Sequence, residues 1–328
     1  MKVRLQWLAL ALGCLLFLWV FQHVGFEETF GQIREVGWVF PLLLLPSVLT
    51  WVLFCLGWWW TLSSGVSFPS LFFARAAGEA LNAIIPLAYL GGEPVKAVLL
   101  RRLGIPLADG LASVVVTKTV GVFTYCLFIF MGVAAALLQG KNLSAPLVGG
   151  VGAGLFLAAS LFILYSSQRR GLFSMLYGLI YRFGGEGWIK KREAAEILDR
   201  KIVALYATTR TMAGCLIFSF LGWLATVAET YVFLWGLGVR VDLVTAVVIQ
   251  ALALGVKAVT FFVPGSLGTQ EGGNVLIFLG LGLSGQAALA FSLLLRGRQA
   301  VWILMGLAVF TRFRWRELQM SPQTDLES

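Results

Sequence analysis

The chain has 328 residues, 59% of them hydrophobic and only 12% charged, with a formal net charge of +9. Soluble proteins carry about 25% charged and about 45–50% apolar residues, so a water-soluble fold with a polar shell is excluded. The apolar residues come in unbroken runs, which excludes the ten-residue alternating strands of a membrane β-barrel.

Runs near 5–22, 38–62, 110–138, 146–166, 213–236 and 286–311 predict six full spans. Each is long enough, at about 1.5 Å per residue, to cross about 30 Å of hydrocarbon. Lys2 and Arg4 precede the first run as in a signal peptide, but the run ends without a small-x-small cleavage site, so an uncleaved span is expected. Cys14, Cys55, Cys126 and Cys215 lie singly in apolar runs, and no C-x-x-C or G-x-x-x-x-G-K-[ST] occurs. Disulfide, zinc and ATPase chemistry therefore have no sequence basis, and no cofactor is expected. The glycines at 149, 150, 152 and 154 open an apolar helix with no strand before it, a pattern for close helix packing.

Two stretches, 71–103 and 243–283, are apolar but broken at their centres by Pro, Gly and charge. Broken backbone at membrane depth must be buried in protein or line a wet cavity. Both read as re-entrant helical hairpins, and counting each as two full crossings leaves the topology unchanged. Between them, residues 168–212 mix apolar positions with Arg169, Arg170, Arg182, Lys190, Lys191, Arg192, Arg200, Lys201 and Arg210. This segment reads as helices lying on the inner membrane surface. With Lys2, Arg4, Arg312, Arg314 and Arg316 it places both termini in the cytoplasm; the opposite loops carry only Arg34, Lys141 and Arg240. The fold class expected is an all-α polytopic membrane protein, a single membrane domain over 1–328.

The broken segments repeat each other at a fixed offset. Pro86 and Pro264, Glu93 and Glu271, Leu103-Gly104 and Leu281-Gly282, and Leu111-Ala112 and Leu289-Ala290 are each 178 positions apart with no gap. The same offset matches Lys118 with Arg296 and Glu79 with Lys257. The repeat units are hairpin plus following span, 71–138 and 243–311. Three full spans separate the hairpins, so the second copy is expected inverted, an architecture in which transport sites form at the repeat interface.

At these residues the chain resembles the flippase-like family named for the membrane domain of lysylphosphatidylglycerol synthases. The first motif is Gly78-Glu79-Ala80-Leu81-Asn82 with Pro86 and Gly91-Gly92-Glu93-Pro94-Val95-Lys96-Ala97. The second is Pro264-Gly265-Ser266-Leu267-Gly268-Thr269-Gln270-Glu271-Gly272-Gly273, followed by Arg296 and Arg298. The resemblance is greatest to the stand-alone branch, which includes members associated with hopanoid biosynthesis. It implies a bacterial inner-membrane protein that moves polar or polyprenyl-linked lipids between leaflets. It does not imply aminoacylation, since the synthases' transfer domain has no counterpart in this sequence. Gln299 stands where the resemblance leads one to expect an acidic residue, which removes an ion pair within that helix.

A charge near the bilayer centre costs at least about 2.5–3.5 kcal/mol, so each one needs a partner or a task. Glu93 and Glu271 follow glycine-containing turns. One reading is a helix-start carboxylate facing the positive end of the dipole; the other is a gating or proton-coupling group. Lys118, Arg296 and Arg298 are either ion-paired to Glu93, Glu271 or Glu229, or bind a lipid phosphate. Gly92 and Gly268 would admit the headgroup close to the backbone. Glu79 and Lys257 are expected to pair across the repeat axis, with Glu229 a further partner for a buried cation. Pro86 and Pro264 are expected to end the first arm of each hairpin. The tryptophans read as interfacial anchors.

The leading expectation is a lipid flippase with membrane lipids bearing an anionic headgroup as partners, and not an enzyme. Two alternatives are an integral-membrane transferase using a lipid-phosphate donor, with Glu27, Glu28 or Glu93 as base, and a scaffold for lipid-biosynthesis enzymes.

Overall fold

The computed structural model describes residues 31, 34, 36–62, 65–84, 91–140, 144–184, 189–261 and 263–320. The predicted first span, Glu27, Glu28 and Pro86 lie outside them. The described chain is helical: α1 (Phe40–Trp59), α2 (Phe68–Ile84), α3 (Glu93–Arg102), α4 (Leu107–Leu138), α5 (Ser144–Arg169), α6 (Leu172–Gly184), α7 (Ile189–Ala207), α8 (Thr209–Gly236), α9 (Leu243–Val259), α10 (Thr269–Gly280) and α11 (Gly285–Met320). Among the described residues five helices are long and apolar enough to cross a membrane: α1, α4, the 148–169 part of α5, α8 and the 285–312 part of α11. These are the five predicted spans that fall within the described residues.

The 178-residue offset has a physical basis at the helix ends. α3 and α10 both stop at a glycine in the left-handed region, Gly104 (φ 90°) and Gly282 (φ 74°), where a side chain would be strained. The turn then closes identically, Ile105 N–H donating to the Leu100 carbonyl at 3.1 Å and Leu283 N–H to Phe278 at 2.9 Å. This is the Schellman arrangement, which satisfies carbonyls that the helix leaves open. The helix starts differ. α9 is capped by Asp242, whose carboxylate accepts from Thr245 N–H at 2.9 Å. α9 stops at Val259, and Pro264 lies beyond it in a short 3₁₀ turn, so the proline is not what ends that arm.

Packing relates the two halves reciprocally. α4, which follows the α2–α3 pair, packs along α9; α11, which follows the α9–α10 pair, packs along α2; and α1 packs along α8. Small residues make these approaches close. A methyl placed on Gly132 of α4 would sit 2.0 Å from the Ala251 Cβ of α9, and one on Gly306 of α11 would sit 2.3 Å from the Ala76 carbonyl oxygen of α2. Helices in lipid gain contact this way, because there is no water to drive them together. The glycine run of α5 follows the same rule on one face. Gly150 meets Leu252 and Gly154 meets the Phe130 ring, whereas Gly149 and Gly152 face open space.

The basic 168–212 segment forms α6 and α7. α6 exposes Met175 and Leu176, as a surface-lying helix does. α7 does not lie free on a surface: Leu198 and Ile202 pack with Ala112 and Val116 of α4 and Cys215 of α8. Asp199 then ties α6 to α7, accepting from the Phe173 and Ser174 N–H groups at 3.1 and 2.8 Å.

Candidate functional site

α2 and α3 bring four motif residues together. Glu79 and Asn82 are one turn apart on α2, Glu93 and Lys96 one turn apart on α3, so each pair shares a helix face. Lys96 is 5% exposed and donates to Glu79 Oε1 at 2.7 Å and to Glu93 Oε2 at 3.0 Å. Asn82 accepts from Gly92 N–H at 2.6 Å and donates to Glu93 Oε1 at 3.0 Å. Lys118, from α4, donates to the same Oε1 at 3.0 Å. Both oxygens of Glu93 are therefore engaged, which is how a buried carboxylate keeps its charge.

The second motif repeats one rung of this ladder with different chemistry around it. Arg296 of α11 donates from Nε to Glu271 Oε1 at 2.8 Å, the equivalent of the Lys118–Glu93 contact. Its remaining nitrogens hold the carbonyls of Gly265 at 2.7 Å and Ser266 at 3.2 Å. Both residues are left-handed (φ 63° and 49°), a strained state for Ser266 that helps aim the two carbonyls at one guanidinium. Arg298 donates from Nη1 to both oxygens of Glu229 on α8, at 2.6 and 2.7 Å. Glu229, itself buried, is thus paired with a partly exposed cation of the cavity wall.

Both motifs open on one cavity of about 690 Å³. Arg75, Lys96, Lys118, Lys257, Arg296 and Arg298 line it, against the carboxylates Glu79, Glu93 and Glu271. The polar interior is positive in balance. One wall is apolar, with Phe156, Leu157, Leu161 and Leu164 of α5 beside Phe261. Trp51, Trp58, Trp223 and Trp302 also line it, so these four are cavity residues and not only interfacial anchors. Trp51 stacks on Trp302 with centroids 4.2 Å apart. The Arg75 guanidinium lies over Phe54 and Trp51 at 5.4 and 5.9 Å, a cation–π arrangement that holds it in an apolar setting.

Three expectations are corrected. Glu79 takes its cations from its own hairpin, Lys96 at 2.7 Å and Arg75 at 3.8 Å; Lys257, its expected partner across the axis, contributes instead to the cavity wall. Gly92 is buried with its N–H bound to Asn82, and a methyl there would sit 1.9 Å from the Gly78 carbonyl oxygen, so it serves hairpin packing and not headgroup contact. Gly268 is a buried left-handed residue (φ 72°) that starts α10 and does not line the cavity. The spacing also left Lys96, Asn82 and Arg75 without roles. The signal was present: Glu79 lies at i+4 from Arg75 and i−3 from Asn82, and Lys96 at i+3 from Glu93.

The model of the lysylphosphatidylglycerol synthase TM region matches residues 6–308. The chain belongs to this family. A family relative, the UPF0104 membrane protein PH1989 of Pyrococcus horikoshii, is 23% identical over 313 residues, covering 88% of this chain and 91% of the relative. No solved structure matches. Family membership carries a lipid-related membrane function to this chain.

Proposed function

We propose that the protein is a transporter that moves a lipid with an anionic, phosphate-bearing headgroup between the two leaflets, without group transfer. The observation that carries this reading is the shared cavity, in which six basic side chains face three carboxylates beside an apolar wall. Guanidinium and ammonium groups bind phosphate oxygens through charge-assisted hydrogen bonds, while the α5 wall offers the acyl chains a surface continuous with lipid. Lys118 and Arg296 are the primary headgroup residues. Their side chains are 37% and 22% exposed, against 6% for Lys96, while Arg298, at 27%, is held by both oxygens of Glu229.

Helix length supports reading the hairpins as re-entrant. α3 has 10 residues and α10 has 12, about 15 and 18 Å of helix, roughly half of a 30 Å core. With α4, α5 and α8 between them, the two hairpins enter from opposite sides, and the units 71–138 and 243–311 form an inverted repeat around the cavity. The basic residues of 168–212 support a cytoplasmic side for that segment, and the family supports a bacterial inner membrane.

The test is leaflet exchange of a labelled phosphatidylglycerol in proteoliposomes. Transport faster than in protein-free vesicles, reduced at least tenfold in Lys118→Gln and Arg296→Gln, supports the reading. Wild-type rates in both variants refute it.

A further inference from the structure

The two repeat-related carboxylates are not equivalent. Every oxygen of Glu93 is bonded, whereas Glu271, at 1% exposure, has Oε1 on Arg296 and Oε2 on nothing. Two more buried side-chain oxygens on the same short segment also make no hydrogen bond: Ser266 Oγ and Asn274 Oδ1, both at 0% exposure. Asn274 lies one turn after Glu271, on the same face of α10. Ser292 Oγ accepts from Asn274 Nδ2 at 2.8 Å and donates to the Ala288 carbonyl, also at 2.8 Å. That leaves Oδ1 as a pure acceptor. Buried acceptors without donors are costly, about 1–3 kcal/mol each, and one added hydrogen on Glu271 would supply the missing donor.

We propose that Glu271 Oε2 is the protonation site that couples proton uptake to headgroup binding, with Asn274 Oδ1, one turn further along α10, as the acceptor for the new O–H, and that Glu93 is a permanent structural anion. A proton from cavity water forms the O–H bond and neutralises the carboxylate. Arg296 keeps its hold on the Gly265 and Ser266 carbonyls but loses its counter-charge, and the lipid phosphate replaces it. Proton and headgroup thus bind together. On the elements packed against α10, Arg296 and Arg298 of α11 and Lys257 of α9 line the same cavity as Glu271; Arg312, Arg314, Arg316 and Glu317 lie in the last turns of α11, and Arg169 with titratable Tyr165 in the last turns of α5. Because proton and headgroup bind together, headgroup affinity rises as pH falls.

This inference rests on the anionic-headgroup reading, and the experiment separates the two. Binding of a short-chain phosphatidylglycerol to the full chain is measured by calorimetry in two buffers of different ionisation enthalpy. The phosphodiester keeps its charge across the range used. Wild type is expected to take up close to one proton per lipid, with affinity falling up to tenfold per pH unit above the titration. Glu271→Gln is expected to take up none and to bind independently of pH, and Glu93→Gln to keep the uptake. Lipid binding by the wild type with no proton uptake overturns the coupling and leaves the headgroup reading standing. Absence of lipid binding at any pH overturns the headgroup reading. Infrared titration of the lipid-free chain then judges the proton site alone: a protonated-carboxyl band that shifts in Glu271→Asp supports it, and a band unmoved by that substitution overturns it.

Discussion

The Glu229–Arg298 pair has no counterpart at the 178-residue offset, where Trp51 and Val120 stand, so the repeat does not require it. Its energetic role can be worked out from its surroundings. Glu229 is 1% exposed on a membrane-spanning helix, and both its oxygens take hydrogen bonds from the same Arg298 nitrogen at 2.6 and 2.7 Å. Removing Arg298 strands Glu229 as an uncompensated buried charge, at a cost of about 3–5 kcal/mol, whereas removing Glu229 leaves Arg298, 27% exposed on the cavity wall, and costs less. At about 1.4 kcal/mol per decade, Arg298→Met should lower the folding equilibrium constant by two to three and a half orders of magnitude, and Glu229→Leu by less. The double variant removes both charges, so it should lose at least about 2 kcal/mol less than the sum of the single losses. Equilibrium unfolding in lipid bicelles gives all three values. Losses that add within about 0.5 kcal/mol, the scatter for independent sites, would refute the coupling.

Other consequences are equally direct. Gly92→Ala should destabilise by at least about 1–3 kcal/mol, because its methyl would meet the Gly78 carbonyl oxygen at 1.9 Å and backbone cannot yield; thermal unfolding against a Gly121→Ala control, where no atom lies within 4 Å, checks it. Asn82→Ala should cost about 1–3 kcal/mol by stranding the Gly92 N–H and one acceptor lone pair of Glu93, measured the same way. Lys201→Ala, by contrast, should cost no more than about 1 kcal/mol, since the Lys201 and Asp109 side chains are 38% and 32% exposed; raising the salt concentration should erase even that difference.

What was legible in the sequence was whatever depends on one-dimensional spacing. Unbroken apolar runs located the five described spans, because helix length and hydrocarbon thickness are fixed quantities. The matched Leu-Gly pairs marked two helix ends, because only glycine enters the left-handed turn cheaply. The offset matched Lys118 with Arg296 and Glu93 with Glu271 and left ion pairing as one of two readings; the pairs lie at 3.0 and 2.8 Å. Partner choice was not legible where several opposite charges compete. Glu79 was assigned to Lys257 from symmetry, yet Lys96 reaches it from the adjoining arm of its own hairpin, a contact set by how α2 and α3 close. Nor does a one-dimensional pattern reveal which of two equivalent carboxylates keeps an oxygen free. That difference comes from Lys96 and Asn82, whose counterparts at the 178-residue offset, Asn274 and Thr260, bond Ser292 and the Val256 carbonyl and leave Glu271 to Arg296. The tryptophans illustrate the same limit: hydropathy puts Trp51 and Trp302 in spans, and only packing stacks them on the cavity wall.

The central claim, a positive cavity that carries an anionic headgroup, is tested most directly by charge selectivity in a single vesicle preparation. Labelled phosphatidylglycerol and an uncharged diacylglycerol of the same chain length are reconstituted together with the protein. Their leaflet exchange is followed in parallel for wild type and for Lys118→Gln/Arg296→Gln. The account predicts that wild type accelerates the anionic lipid over the protein-free rate, leaves the uncharged lipid at that rate, and loses at least tenfold of the anionic acceleration in the double variant. Equal acceleration of both lipids, unchanged by removing the two cations, would contradict it.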